Sequence, residues 1–551
     1  MKDFLSHLKL TYHCSYFMVH IFITILILFV FAGTTEAKEK KAKKEPIYNE
    51  QGQIIKTGMN FGPLPAIAYD ADKGFQLGAI LNLYYYGDGS TYPNYFNRWY
   101  FEASYFTKGS MLFQIQHDNK RLIPGVRWST AISYNIDKAF DFYGFNGFQS
   151  YYDYERMAES NNSKAIKNGQ AVPDPLKYRY NPFYRFNNST LYAKTDFIGH
   201  ITENLYWEAG YHFRWYNQDK IDRTSINKKK NWYDTFPSGP DSFANAKQAE
   251  MRVETDTRDY VPTLYELYQD WGLIDLKEIY DAKGKPNMFD SSIRLGLMYD
   301  TRNNEGAPSR GIWAEAHVIL APKWLGSSNS YYKYAFTFRH YVPVIKNDIL
   351  TFAYRVNYEG TFGKNAPYYA LPFNTMLGNE TDNEGFGSYR TTRGVMRTRV
   401  VGLDQMLWTA EFRYKFVEFK LWKQNIAFSL TAFTDGSMVT RGRDMSYKGD
   451  ASDAGKFALY KAYMESRYNE MSARTQQKHY KEIDCGENGK VYSLREIPHT
   501  TFGLGLRFIM NTNFIVAFEY GLPTSRFYRK TSPYYMQDGG GAFYINLGYL
   551  F

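Results

Sequence analysis

Beyond its first sixty or so residues the chain is written in period two. From Leu205 to Tyr216, the residues Leu205, Trp207, Ala209, Tyr211, Phe213 and Trp215 alternate with Tyr206, Glu208, Gly210, His212, Arg214 and Tyr216. Successive side chains of a strand point to opposite faces, so one face is apolar and aromatic and the other polar. Leu350 to Glu359 and Trp408 to Phe416 repeat the arrangement. These runs are about 10–12 residues long, the length a tilted strand needs to cross a bilayer, whereas strands of a soluble sandwich are about 5–6. Several charges per strand on the polar face suit a wet lumen better than a dry core. The aromatic face must be covered, and lipid covers it without a second sheet.

Composition excludes the main alternatives. Aromatic residues make up 19% of the chain although its mean hydropathy is −0.51. Disordered chains lack aromatics, and no apolar run after residue 33 is long enough for a spanning helix. Lys2 and Lys9 precede an apolar stretch from Phe17 to Gly33, and Thr35-Glu36-Ala37 offers small residues to a signal peptidase. Residues 1–37 therefore read as a cleaved signal peptide, with an uncleaved anchor as the alternative. Residues 38–62, opening on KEKKAKK, read as a basic periplasmic linker with no access to nucleic acid. Cys14 falls in the removed segment, which leaves Cys485 alone and the mature chain without an internal disulfide or a cysteine zinc site.

Marking every alternating run gives candidate strands at 64–71, 75–86, 97–107, 111–118, 126–136, 187–199, 203–217 and 290–301. Others follow at 311–321, 330–343, 348–361, 397–416, 424–435, 500–510, 513–521 and 542–551. That is sixteen, an even number, and the long gaps (137–186, 218–289, 362–396, 436–499, 522–541) all follow odd-numbered strands. A closed barrel with long loops outside and tight periplasmic turns has that parity. The expectation is an all-β fold: a 16-stranded antiparallel transmembrane β-barrel over residues 63–551, with long extracellular loops, in a Gram-negative outer membrane. Phe543, Ile545, Leu547, Tyr549 and the terminal Phe551 form the apolar face of the last run. An alternating strand that closes on an aromatic residue is the ending typical of outer-membrane barrels.

Three motifs narrow the reading. Asp300-Thr301-Arg302 leads through Pro308 to Gly311 as a strand–turn–strand unit. The gap after the eleventh strand holds Arg393-Gly394-Val395, and the thirteenth strand ends Phe433-Thr434-Asp435-Gly436. In this order they resemble the BamA/TamA superfamily, whose barrel is also called the bacterial surface antigen domain; the resemblance is clearest over 288–551. That family shows a D-T-R…P-x-x-G turn, an R-G-F/Y loop and an F-x-D-x-G strand motif. This chain differs in having Val395 after the glycine and Gly436 directly after the aspartate. The resemblance implies that the loop carrying Arg393 folds back into the lumen, where its arginine meets inward-facing acids. A guanidinium in a narrow lumen is costly unless paired, and a carboxylate holds it bidentately. Asp435 is the expected partner and Glu411 the second; the alternative is that Arg393, like Arg390, Arg397 and Arg399, is solvated in an exposed loop.

The resemblance also implies a function: inserting, assembling or translocating proteins at the outer membrane through a weak seam between first and last strands. Its partners would be outer-membrane lipid, client outer-membrane proteins and a periplasmic or lipoprotein partner. Members that assemble proteins carry periplasmic POTRA domains, and Lys38 to Pro63 is too short for even one independent domain, so a barrel-only member is expected. The competing class is a passive pore or a surface receptor. No G-x-S-x-G, H-E-x-x-H or phosphate-binding glycine loop occurs and the histidines show no ligand spacing, so no enzyme, cofactor or metal site is expected.

Overall fold

The computed structural model describes residues 47–48, 54–70, 73–92, 95–150, 152, 184–219, 263–345, 348–364, 366–374, 383–421, 424–448, 455–510 and 514–547. The expected signal peptide at 1–37 lies outside these residues. Up to Ile55 the described part is a small pairing of Ile47–Tyr48 with Ile54–Ile55.

From Lys56 onward the chain is a closed antiparallel barrel of sixteen strands. The first eight are β1 (Met59–Asp70), β2 (Gly74–Tyr85), β3 (Asn97–Phe106), β4 (Met111–Ile123), β5 (Val126–Asp141), β6 (Arg185–His200), β7 (Leu205–Asp219) and β8 (Phe289–Asp300). The other eight are β9 (Gly311–Ala321), β10 (Tyr331–Ile345), β11 (Leu350–Thr361), β12 (Asp404–Leu421), β13 (Gln424–Arg441), β14 (His499–Met510), β15 (Phe514–Pro523) and β16 (Ala542–Leu547). Each pairs with its neighbours in sequence, and β16 closes the ring on β1.

Burial is inverted relative to a soluble protein, as the alternation predicts. Phe412, Tyr414, Leu295, Leu297, Leu504 and Tyr520 are exposed on the outside, whereas Glu208, Arg294, Glu315, Arg339, Glu411 and Glu519 are buried on the inside. On β7, Trp207 and Tyr211 face outward and Glu208, His212 and Arg214 inward. In lipid, only closed ladders satisfy every backbone group, and an apolar outer face is what hydrocarbon tolerates.

Several strands depart from the expected limits. β1 begins at Met59 rather than 64, because the outward positions Met59, Phe61 and Pro63 continue its alternation. β5 and β13 run on to Asp141 and Arg441. β12 begins at Asp404 rather than 397: Arg397-Thr398-Arg399 alternates like a strand, but both arginines are buried against partners inside the barrel, so this stretch belongs to the preceding loop. β16 is described to Leu547, which leaves Tyr549 and Phe551 outside the described residues.

The long connections follow β5, β7, β11, β13 and β15, and they fold on one another. They carry the helices α1 (Leu264–Asp270), α2 (Gly455–Asn469) and α3 (Ala473–His479). Phe142 and Phe145, Tyr265 and Trp271, Tyr368 and Tyr369, and Phe457 and Tyr460 form one buried cluster from four of these loops. Tyr534 of the fifth packs with Phe148, Tyr480 and Leu494. Thr263 and Glu266 cap α1 reciprocally, and Arg443 reaches Glu278 at 2.7 Å. The outer mouth thus carries a cap with its own aromatic core.

Candidate functional site

The connection between β11 and β12 does not stay outside. Phe386 pairs with Val400 to make a narrow finger, and the finger enters the lumen. At its tip Arg393 is fully buried. Its Nε donates to Asp435 Oδ2 at 2.8 Å and its Nη2 to Asp435 Oδ1 at 2.9 Å, a bidentate grip. The Arg393 backbone N–H also donates to Asp435, at 3.0 Å. Nη1 donates to Glu411 at 2.7 Å and to Glu519 at 2.9 Å. The guanidinium lies 3.5 Å from the centre of the Phe433 ring, a cation–π contact in a desolvated setting.

The carboxylates are balanced by further cations. Arg507 Nη2 donates to Glu411 at 3.1 Å and to Glu519 at 3.0 Å, and Arg413 Nε donates to Glu411 at 2.7 Å. Three acids and three arginines therefore form one network on the inner faces of β12 to β15. Breaking one partner out of such a network leaves a buried charge uncompensated, at a cost of about 3–5 kcal/mol.

Gly394 has a conformational reason for its identity. Its φ is +97°, and a Cβ there would sit 2.5 Å from the Gly521 carbonyl carbon; a Cβ on Gly521 would sit 2.3 Å from the Arg393 oxygen. Two glycines thus let the finger lie backbone-to-backbone on β15. The Gly394 N–H donates to the hydroxyl of Tyr544 on β16 at 3.1 Å.

Four residues further on, the finger reaches the opposite wall. Arg397 donates to Asp137 of β5 at 2.6 Å, and Thr398 Oγ1 donates to the Asp141 carbonyl at 2.5 Å. β5 and β13 lie eight strands apart in the ring of sixteen, so the finger spans the lumen. Arg399 donates to the Gln537 and Gly147 carbonyls and to Ser150, tying the finger to two cap loops. Sequence reading placed Arg397 and Arg399 with the solvated alternative; both are buried and bonded. It also missed Glu519, Arg507 and Arg413. The inward alternation of β12, β14 and β15 marks them as lumenal, but nothing local says which loop they meet.

The turn motif sits at the opposite end of the barrel. Arg302 donates to Asp300 through Nε (2.9 Å) and Nη2 (2.7 Å) and stacks on Trp313 at 3.7 Å. Thr301 Oγ1 accepts from the Ile312 N–H at 2.9 Å. Gly311 has φ +108°, and a Cβ there would meet the Thr301 oxygen at 2.3 Å. Pro308 is buried in the turn, and Asn303 Oδ1 accepts from the N–H groups of Ser309 and Arg310. Glu305 reaches away from the turn to Lys120 at 2.8 Å and Arg127 at 3.5 Å, on β4 and β5. Burial pushes its carboxyl up, but Arg127 and Lys120 more than offset that and hold it down at about 2. Of the last-strand residues, Phe543 is exposed and Ile545 half-buried on the outside, while Tyr544 points inward.

Among the described residues, no group of histidines, cysteines and carboxylates has the arrangement of a metal site.

Two solved structures to which the chain is similar share little sequence with it. A BamA from Haemophilus ducreyi lacking POTRA domains 1–3 aligns with 92% of this chain and 74% of its own, at 13% identity and a TM-score of 0.44. CdiB from Escherichia coli aligns with 89% of this chain and 62% of its own, at 9% identity and a TM-score of 0.43. No curated protein matches the sequence. The Omp85 superfamily domain, by contrast, matches residues 96–551, nearly the whole barrel, in keeping with the resemblance carried by the three motifs. The chain belongs to the Omp85 superfamily and is an outer-membrane β-barrel.

Proposed function

We propose that this barrel inserts or translocates protein at the outer membrane, and that the seam between β1 and β16 is where a client strand is admitted. The observation that carries the reading is the extent of that seam. β12 and β13 pair from Asp404–Arg441 to Leu421–Gln424, whereas β16 and β1 pair, among the described residues, only at Tyr544–Asp70 and Ile545–Tyr69. β1 is paired along its whole length on its other side, to β2. A strand that is firmly held on one edge and lightly on the other can offer its open edge to an extended chain without leaving the barrel. Pro63 and Pro65 of β1 lack N–H groups, which keeps the open edge from pairing along its full length.

The finger and its arginine network would then hold the lumen closed while β16 moves, with Arg393, Gly394, Asp435 and Glu411 as the lock. The aromatic cap over the outer mouth speaks against a passive pore. We further propose that residues 1–37 are removed on export and that a periplasmic or lipoprotein partner delivers clients.

Joining the seam covalently tests the reading. Tyr69 and Ile545 are register partners, so the pair Tyr69→Cys with Ile545→Cys can form a disulfide across it. When oxidised, the variant should deplete client proteins from the outer membrane, and reduction should restore them. An oxidised, folded variant that leaves the outer-membrane protein profile unchanged would remove the seam from the function.

A further inference from the structure

The loop between β15 and β16 has two unlike sides. The Ser525 carbonyl accepts from the Tyr528 N–H at 3.4 Å and from the Met536 N–H at 3.1 Å, so the residues between form a closed excursion from the outer rim. On the inner side Tyr534 is buried in the cap, edge-on to Phe148, and its hydroxyl donates to the Arg495 carbonyl at 2.9 Å. On the outer side Phe527 is 61% exposed, and its ring lies 5.6 Å from that of Phe502, centre to centre. Phe502 and Leu504 are outward residues of β14, and Phe502 pairs with Leu522 just before β15 ends at Pro523. Phe527 therefore stands at the upper edge of the lipid-facing wall, the level at which barrels carry an aromatic girdle.

Charge sets this stretch apart. Arg526, Arg529 and Lys530 are all exposed and flank Phe527 and Tyr528. From Thr524 to Gln537 there is no acidic residue. Asp538, which follows, is buried and meets His499 at 2.5 Å. Arg526 Nη1 donates to the Gly540 carbonyl at 2.8 Å, which fixes that side chain and leaves its other donors open. Among the described residues none of the three cations meets a carboxylate. The excursion, pinned to the cap by Tyr534, thus presents three uncompensated cations directly above an apolar surface.

We propose that the β15–β16 loop binds a phosphorylated glycolipid of the outer leaflet, with its phosphates between Arg526, Arg529 and Lys530 and its acyl chains over Phe527, Phe502 and Leu504. Guanidinium groups hold phosphate oxygens bidentately, and basic clusters at a membrane boundary gather anionic head groups. A soluble protein arriving from outside meets the cations but not Phe502 and Leu504, which lie below them on the wall. Free phosphate leaves the apolar surface uncovered. Three cations exceed the charge of one phosphodiester, so a phospholipid leaves part of the patch uncompensated. The proposal is independent of whether the seam opens.

Native mass spectrometry of the full-length protein in detergent, titrated with bis-phosphorylated lipid A, tests it. The expected result is retention of the lipid, weakened by about tenfold or more in Arg529→Gln/Lys530→Gln, as the loss of two cations at a membrane surface implies. Both side chains are exposed, and unchanged heat-modifiability would show that the variant folds. Equal retention by the variant, equal retention of dephosphorylated lipid A or of phosphatidylglycerol, or displacement by an equal concentration of inorganic phosphate would overturn the proposal. A second measurement keeps every lysine and arginine: a photoreactive phenylalanine analogue at position 527, irradiated in intact cells, should give an adduct with a phosphorylated glycolipid. An adduct with a protein, or with phospholipid alone, would overturn it.

Discussion

Two stretches of the barrel wall stand side by side and are fastened by different means. From β12 to β15 the wall has long ladders and, on its inner face, the six-membered network around Arg393. At β16 and β1 the described ladder is two pairs, and β16 meets the finger through neutral contacts: the Gly394 N–H donates to the Tyr544 hydroxyl, and the rings of Tyr389 and Tyr544 lie 6.4 Å apart. Buried, mutually compensating charges hold as a unit, because removing one strands the others. Neutral contacts of that kind cost less to break than a buried charge. The contrast suggests a division of labour, a rigid wall that keeps the plug in place beside a closure that can move.

The largest expected effect comes from breaking the rigid side. Arg393→Ala leaves Asp435, Glu411 and Glu519 facing one another with only Arg507 and Arg413 as counter-charges. It should destabilise the folded barrel by about 3–5 kcal/mol. The loss would be read as a lowered urea midpoint of the heat-modifiable form and as lower outer-membrane levels. A midpoint equal to wild type would show that the finger is held by its backbone and not by the network.

Gly394→Val asks whether backbone contact matters apart from charge. The new side chain meets Gly521 with nowhere to go and forces a left-handed residue, a cost of about 1–3 kcal/mol. Because the finger must lift, current through single barrels in planar bilayers should rise in this variant while the arginine network stays chemically intact. Unaltered conductance would sever the packing at Gly521 from closure of the lumen.

The smallest effect belongs to the far end of the barrel, where Glu305 ties the turn after β8 to β4 and β5. Its folded carboxyl titrates near 2, below the ordinary 4.5, so the contribution is complete above about 4.5 and is lost as pH falls through about 2. The carboxylate is half-exposed, so the tie is worth about 0.2–1 kcal/mol. Over that acid range the wild type should lose more thermal stability than Glu305→Gln does; parallel loss in the two would mean that the tie contributes nothing.

Much of the fold was legible because its cause is local. The outward Trp207 and Tyr211 and the inward Glu208 and His212 alternate within one run, and the parity of long connections needs only run lengths. Part of the site was legible too: Arg393 and Asp435 sit in the motifs that carry the resemblance, Glu411 lies on the polar face of its run, and the structure brings the three together. Arg397 and Arg399 misled, because alternation inside a buried finger looks the same as alternation along a strand.

The amino-acid order alone determined which side chains face lipid and which face water, and hence an all-β closed ring of sixteen strands, since period two and residue polarity act between immediate neighbours. Tertiary structure decided which inward charge meets which. Glu519 finds Arg393 across 126 residues and Arg397 finds Asp137 across 260, and no periodicity connects such positions. It also decided how far neighbouring strands run past one another, as where β12 continues to Leu421 beyond its last pair with β11, Tyr414–Leu350, because strand ends are set by how far each neighbour extends.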